Sequence, residues 1–186
     1  MLKPDFPLRT ERLELRPFTT DDSDDAHVYM SDPAVVRFLY WQVRDHDEVR
    51  AFLAERAQHG SLEREGDRLY LAVVLPATGQ MIGEVMLHWI SQEHRQGEIG
   101  FVVSPGFQGH GYAAEAARVA LSLGFDQLGL HRIIGRCDAL NTPSAALMAR
   151  LGMRREAHLI HEEFFKGYWS DTFIYAMLDE EWRAGS

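Results

Sequence analysis

The chain of 186 residues contains one cysteine, Cys137, and two lysines, Lys3 and Lys166. A single cysteine excludes an internal disulfide and fits a reducing compartment. No lysine occurs between Lys3 and Lys166. This excludes a Walker phosphate loop, which requires a lysine in the pattern G-x-x-x-x-G-K-[ST]. No apolar run approaches the roughly 20 residues of a membrane helix, and the first residues lack the apolar core of a signal peptide. These absences predict a cytoplasmic protein that does not act at a membrane.

Basic residues are also scarce. The chain has 19 Lys and Arg residues and 28 Asp and Glu residues, which gives a formal net charge of −9. This balance argues against nucleic acid as a partner, because such binding needs a basic face. The nine histidines show no metal-ligand spacing, so no metal site is predicted. The length and a hydrophobic content of 46% fit a single domain spanning residues 1–186.

A glycine-punctuated turn, Gln108-Gly109-His110-Gly111-Tyr112-Ala113, is the most informative segment. It follows an apolar run typical of a buried strand (99–103) and precedes a segment rich in strong helix formers (113–121). Glycines let the backbone approach a ligand, and the unpaired N–H groups of a helix N-terminus favour negative charge. The turn therefore predicts a phosphate or pyrophosphate site. The dinucleotide fingerprint is excluded, because its third glycine is replaced by Ala114.

The hydrophobic pattern predicts about seven strands and about four helices. Strands are expected near residues 12–18, 69–75, 81–89, 98–103, 131–137, 156–165 and 171–178. Helices are expected near residues 20–30, 47–63, 113–128 and 142–152, with a shorter one over 33–38. Hairpin-linked strands followed by a strand-helix-strand unit indicate an α+β fold with one largely contiguous sheet.

The spacing Gln108-x-x-Gly111-x-Ala113 resembles the pyrophosphate loop [QR]-x-x-G-x-[GA] of the GNAT superfamily of acyl-CoA-dependent N-acetyltransferases. Asn141 and Ser144, followed by Leu151-Gly152-Met153, resemble that family's N-x-x-S…L-G-F segment. The opening (8–18) and the closing region (167–182) resemble the RimJ/RimL-like branch, the ribosomal-protein N-terminal acetyltransferases and their relatives. The motifs occur in family order from about Leu8 to Trp182.

The resemblance implies a GNAT-type fold, a mixed and mostly antiparallel sheet splayed where the strands ending near Val103 and Cys137 separate. It implies transfer of an acetyl group from acetyl-CoA to an amine, by direct transfer and without a metal. The acceptor is expected to be a protein N-terminal α-amine or a small-molecule amine, and the protein a monomer or homodimer. The alternative is an inactive acyl-CoA-binding regulatory or interaction module. It stays open because Met148 replaces the family's acid tyrosine and Arg136 replaces a base used in another branch.

The resemblance also assigns site residues. CoA contacts are expected from Phe101, Val102, Val103, Gln108, Gly109, His110, Gly111, Tyr112, Ala113, Asn141 and Ser144. Glu98 is the expected general base, although a solvent-facing charge at the head of a strand is an equal alternative. Ser144 is expected to hydrogen-bond the leaving sulfur, or else to cap a helix. Lesser base candidates are Glu84, His88, His94 and Asp138. Aromatic residues in 29–41 and 164–169 are candidates for the acceptor pocket.

Overall fold

The structure is a computed structural model that describes residues 1–185. Its strands are β1 (Leu8–Arg9), β2 (Glu14–Arg16), β3 (Arg68–Leu75), β4 (Gln80–Ser91), β5 (Gln96–Val103), β6 (Arg132–Asp138), β7 (Arg154–Phe165) and β8 (Tyr168–Leu178). These eight strands of the described chain form one sheet in the order β1-β2-β3-β4-β5-β6-β8-β7. All neighbours pair antiparallel except β5 and β6, which are parallel. The expected α+β class and mostly antiparallel sheet are confirmed.

The α-helices are α1 (Ser23–Met30), α2 (Pro33–Val36), α3 (His46–Arg56), α4 (Tyr112–Ser122), α5 (Thr142–Arg150) and α6 (Asp179–Gly185). A π-helical segment, Leu123–Gln127, continues α4. Compared with the expected counts, the structure adds the two-residue strand β1 and the short helix α6. Within residues 1–185, no helix combines the length and apolar character needed to cross a membrane.

Helix α3 ends earlier than its sequence pattern predicts. Its start is fixed by a capping box, in which the Asp45 carboxylate accepts from the Glu48 N–H at 2.9 Å and Glu48 accepts from the Asp45 N–H at 3.0 Å. The expected end near residue 63 is wrong, because Leu62 instead pairs with Leu2 through two backbone hydrogen bonds of 2.7 and 2.8 Å. This contact with the N-terminal segment replaces helix propagation through Gly60, a weak helix former.

Both faces of the sheet are covered, because side chains alternate along each strand. On β3, Leu69, Leu71 and Val73 face the core beneath α4 and α5. Ala72 and Val74 face the opposite core, which α1 and α3 close. The face that α1 and α3 cover is only partly filled with apolar side chains. Glu84 and His88 of β4 and Glu98 of β5 lie on this face.

The sheet opens between β5 and β6. Their parallel pairing covers three positions in the described chain and ends at Glu98 and Ile134. Strand β5 continues to Val103 and β6 to Asp138, so the two strands diverge beyond that pair. The β5 edge from Ile99 onward therefore presents backbone N–H and C=O groups to a cleft rather than to a neighbouring strand.

Candidate active site

The turn after β5 has the backbone that its glycines predict. Gly109 has a φ of +80° and Gly111 a φ of +85°, the left-handed region that glycine adopts without steric cost. Gly111 is the N-cap of α4 and has no side chain to occupy the first-turn N–H groups. These groups consequently point into the open space ahead of the helix, where an anion is favoured.

Side chains from within the loop and from the β1–β2 hairpin hold this turn. Gln108 donates from Nε2 to the Val103 carbonyl at 3.0 Å. Arg12 donates from Nη1 to the His110 carbonyl at 3.0 Å and forms a salt bridge with Glu115 at 2.7 Å. Burial alone would raise the pKa of Glu115, but hydrogen bonds from Thr10 and Arg12 hold it below its usual value. The carboxylate is therefore ionised at neutral pH and anchors the hairpin against the loop.

A first cavity, of about 380 Å³, lies between this loop, β5 and α5. Ten of the eleven residues expected to contact CoA line it: Phe101, Val102, Val103, Gln108, Gly109, Gly111, Tyr112, Ala113, Asn141 and Ser144. The eleventh, His110, lies outside and is exposed, with Nδ1 at 2.8 Å from the Gln108 carbonyl. Asn141 also caps α5, because its Oδ1 accepts from the Ser144 N–H at 3.2 Å.

A second cavity, of about 860 Å³, lies on the α1–α3 side of the sheet. Both cavities are lined by Phe101 and Val102 of β5 and by Asn141 and Ser144 at the start of α5. Phe38 and Leu39 border both as well. The two cavities thus meet beside the open β5 edge.

The second cavity is lined by three of the candidate bases, Glu84, His88 and Glu98. Glu98 is partly exposed and lies 3.9 Å from His88 Nδ1. Glu84 is 6% exposed and accepts a hydrogen bond from the Tyr29 hydroxyl at 3.0 Å. Burial raises the pKa of Glu84, while Arg56 and the Tyr29 hydrogen bond act in the opposite direction. Two carboxylates in different environments therefore face the same space.

The other base candidates lie elsewhere. His94 is in the exposed turn between β4 and β5. Asp138 accepts from the Tyr168 hydroxyl at 2.6 Å and from the Leu140 N–H at 2.7 Å, so hydrogen bonds already occupy both of its oxygens.

Of the aromatic residues expected to form the acceptor pocket, some line the second cavity and others are exposed on the β7–β8 hairpin. Segment 38–41 borders the second cavity. Phe164 and Trp169 are 65% and 57% exposed and pack against each other.

Lys166 at the tip of the β7–β8 hairpin fixes the position of segment 38–41. Its Nζ donates to the carbonyls of Val36 and Trp41 at 2.6 Å each. Sequence reasoning missed this contact and the Arg12–Glu115 pair. Within residues 1–185, no group of three or more His, Cys, Asp or Glu side chains is placed to hold a metal ion.

The sequence model of a protein family, described as the acetyltransferase (GNAT) domain, matches residues 12–154. This range includes the loop and the residues shared by both cavities. The chain belongs to the GNAT acetyltransferase family. It is an acetyl-CoA-dependent acetyltransferase.

The similarity to individual GNAT relatives extends over nearly the whole of this chain. The uncharacterized N-acetyltransferase YnaD of Bacillus subtilis is 34% identical over 94% of this chain and 98% of its own length. The spermidine N(1)-acetyltransferase of Escherichia coli is 26% identical over 92% of this chain and 89% of its own. A crystal structure of a GNAT-family acetyltransferase from Bacillus anthracis has a TM-score of 0.83 at 32% identity, covering 94% and 99% of the two chains.

Met148 occupies the position where the family resemblance implies an acid tyrosine. Its side chain packs over Gly135, where an added Cβ would meet the methionine sulfur at 2.5 Å. A thioether cannot donate a proton. The polar groups Ser144 and Cys137 line the second cavity together with Met148. Burial raises the pKa of the Cys137 thiol to about 11, although the neighbouring Ser144 hydroxyl acts in the opposite direction. The protonated thiol is a poor nucleophile at neutral pH.

Replacing Cys137 with alanine should leave the acetyl-transfer rate close to that of the parent enzyme, because a thiol with this pKa forms no acetyl-enzyme. The test combines steady-state rates with the intact mass of each enzyme after incubation with acetyl-CoA alone. A mass increase of one acetyl group that is present in the parent and lost in Cys137→Ala would contradict the prediction.

Proposed function

We propose that this enzyme acetylates a primary amine, either a protein N-terminal α-amine or the amine of a small molecule, by direct transfer from acetyl-CoA. The observation that carries the proposal is the meeting of the two cavities at Phe101, Val102, Asn141 and Ser144. The donor would occupy the first cavity and the amine the second. Direct contact between them makes an acyl-enzyme unnecessary, in keeping with the raised pKa of Cys137.

The residues of the first cavity fit acetyl-CoA, the acetyl donor. The N–H groups around Gly109, Gly111 and the first turn of α4 would hold the pyrophosphate. The free edge of β5 at Phe101–Val103 would pair with the amides of the pantetheine arm, as an added strand pairs with a sheet edge. Space is available for a close approach, because nothing lies within 4 Å of where a Cβ of Gly109 would stand. Asn141 would combine its cap of α5 with a contact to the arm.

In the second cavity, Glu98 would act as the general base. An α-amine has a pKa of about 8, so a carboxylate within reach, or one water away, is sufficient to accept its proton at neutral pH. Ser144, at the junction of the cavities, would hydrogen-bond the departing sulfur. A thiol with a pKa of about 8.5 leaves readily as thiolate, so a stronger acid is unnecessary.

We further propose that the chain is a single GNAT domain of the RimJ/RimL-like branch, acting in the cytoplasm as a monomer or homodimer. Its opening and closing segments support the branch assignment. The Escherichia coli relative named for spermidine supports an amine acceptor and adds polyamines to the candidates.

A thiol-release assay tests the proposal with a panel of amines: spermidine, glycyl peptides, ribosomal-protein N-terminal peptides and simple alkylamines. Amine-dependent release of free CoA is expected, with initial-velocity lines that intersect when both substrates are varied. Parallel lines would indicate an acyl-enzyme and contradict direct transfer. Tight binding of acetyl-CoA without release for any amine would instead favour the inactive acyl-CoA-binding module.

A further inference from the structure

Two arginines in the second cavity have guanidinium groups that form no salt bridge within residues 1–185. Residues 1–185 contain five half-buried arginines. Three of them form salt bridges: Arg16 with Asp22, Arg132 with Glu156, and Arg136 with Glu162. The remaining two, Arg44 and Arg56, line the second cavity, and the Nη1 atom of each is buried without a hydrogen-bond acceptor in the described chain. A buried, unpaired guanidinium N–H is costly, so such groups ordinarily have an anion.

Aromatic rings hold both guanidiniums by their faces. Arg44 lies over the Phe52 ring at 3.8 Å from its centroid, and Arg56 lies over Phe52 at 4.4 Å and over Tyr70 at 3.2 Å. Stacking occupies the faces of a guanidinium and leaves its in-plane N–H groups free. Those N–H groups form the planar fork that binds a carboxylate or phosphate through two hydrogen bonds.

The carboxylates of the cavity do not fill this role. Glu84 is the buried carboxylate near both arginines, but its hydrogen bond is with Tyr29, and within residues 1–185 it forms no salt bridge with Arg44 or Arg56. Burial also raises the pKa of Glu84, which weakens it as a counter-ion. Glu55 is exposed. Burial, followed by repulsion from Arg56, lowers the pKa of Arg44, while attraction from Glu84, Glu48 and Glu55 acts in the opposite direction. Two cations therefore lie close together here.

The position of the arginines relative to Glu98 limits the ligand. Tyr70, beneath Arg56, is opposite Met86, and Met86 is opposite Gly100, two residues along β5 from Glu98. The path crosses two strand spacings of about 4.8 Å each and then runs two residues, about 6.6 Å, along β5. A group bound by the arginines is therefore separated by several bonds from a nitrogen at Glu98.

We infer that Arg44 and Arg56 form an anion subsite of the acceptor cavity, and that the acceptor is an amine carrying a carboxylate or phosphate several bonds from its nitrogen. The inference rests on the proposed function, because it assigns the second cavity to the amine. It disfavours a polyamine, whose second charged group is cationic and would face two guanidiniums.

Matched probes test the subsite in the unmodified enzyme. Glycylglycine is compared with glycylglycinamide, and O-phosphoethanolamine with ethanolamine, while spermidine serves as the cationic probe. Within at least one pair, the anionic member is expected to have a KM about 10- to 100-fold lower, the range for a charge-assisted bidentate contact. The pair that responds distinguishes a carboxylate acceptor from a phosphate one. Calorimetry on the CoA-loaded enzyme provides the same comparison without turnover.

Variants locate the effect. Arg44→Met and Arg56→Met retain bulk against the rings but remove the charge, and each should abolish the preference for the anionic probe by raising its KM with little change in kcat. Arg56→Lys should restore part of the preference. Arg50→Met is the matched control, because Arg50 lies on α3 as Arg56 does, is exposed and pairs with Asp47. Melting temperature and CoA affinity confirm that each variant is folded.

The outcomes separate this inference from the proposed function. Equal or better binding of the neutral member in both pairs, or binding of spermidine at least as good as that of the better anionic probe, overturns the subsite, even if those amines are acetylated. Equal effects of Arg56→Met on anionic and neutral probes would assign Arg56 a purely structural role and also overturn it. Absence of thiol release with every amine contradicts the proposed function, and calorimetry then decides the subsite by itself.

Discussion

Replacing Gly111 with aspartate should weaken acetyl-CoA binding by about 100-fold or more. The new carboxylate would stand at the N-terminus of α4, where the pyrophosphate is expected. Two like charges about 4 Å apart repel by about 4 kcal/mol at a protein surface, and each 1.4 kcal/mol is a factor of ten in affinity. The backbone adds to the loss, because the φ of Gly111 is +85° and side chains other than glycine rarely adopt that conformation.

Two further variants separate charge from strain. Gly111→Ala introduces the strain alone, and its Cβ would meet the Arg12 Nη2 at 3.3 Å, the movable end of a long side chain. Gly129→Asp makes the same substitution at a φ of +72° with open space around it, outside both cavities. Calorimetry with CoA should give a small loss for the first and parent affinity for the second. Parent affinity in Gly111→Asp would refute the assignment of the loop.

The donor half of the site could be predicted from the sequence because its signals are local. The left-handed glycines adjoin the start of α4, and the Asn141 cap adjoins the start of α5, so each signal lies within a few residues of the chain. The apolar run 99–103 predicted strand β5, and the family resemblance implied its open edge. The comparison with family motifs then supplied the ligand.

The acceptor half depends on contacts that leave no local pattern. The bond from Lys166 to Val36, which holds segment 38–41, spans 130 residues. The donor loop has one contact of the same kind, because Arg12 and Glu115 are 103 residues apart. In the sequence, Arg56 on α3 and Arg44 just before its N-cap resemble ordinary surface charges, and only the fold packs them against Phe52 and Tyr70. For the same reason Glu84 and Glu98 could not be ranked from the sequence. Both lie on strands with alternating side chains, and the hydrogen bond from Tyr29 that distinguishes them comes from α1.

Replacing Glu98 with glutamine should lower kcat by about 100-fold or more, within the range for loss of a general base, and leave acetyl-CoA affinity unchanged. Glutamine keeps the size of the side chain but cannot accept the proton of the incoming amine. The deficit should be largest below the amine pKa of about 8, where the acceptor arrives protonated, and should shrink as rising pH supplies the free amine. The measurement is the pH dependence of kcat and kcat/KM for the parent and the variant. Superimposable profiles would make Glu98 structural.

Glu84→Gln is the matched control, because both carboxylates face the same cavity but differ in environment. Glutamine at this position can still accept the Tyr29 hydrogen bond, so the fold should be retained. Glu84 and His88, the neighbour of Glu98, are four residues apart on β4, a separation of about 13 Å between their Cα atoms. If Glu84 were the base, its variant would show the pH-dependent deficit and Glu98→Gln would not. We expect the reverse, because Glu98 is partly exposed in the cavity and stands at the last β5–β6 pair before the sheet opens. Glu84, in contrast, is buried and already hydrogen-bonded to Tyr29.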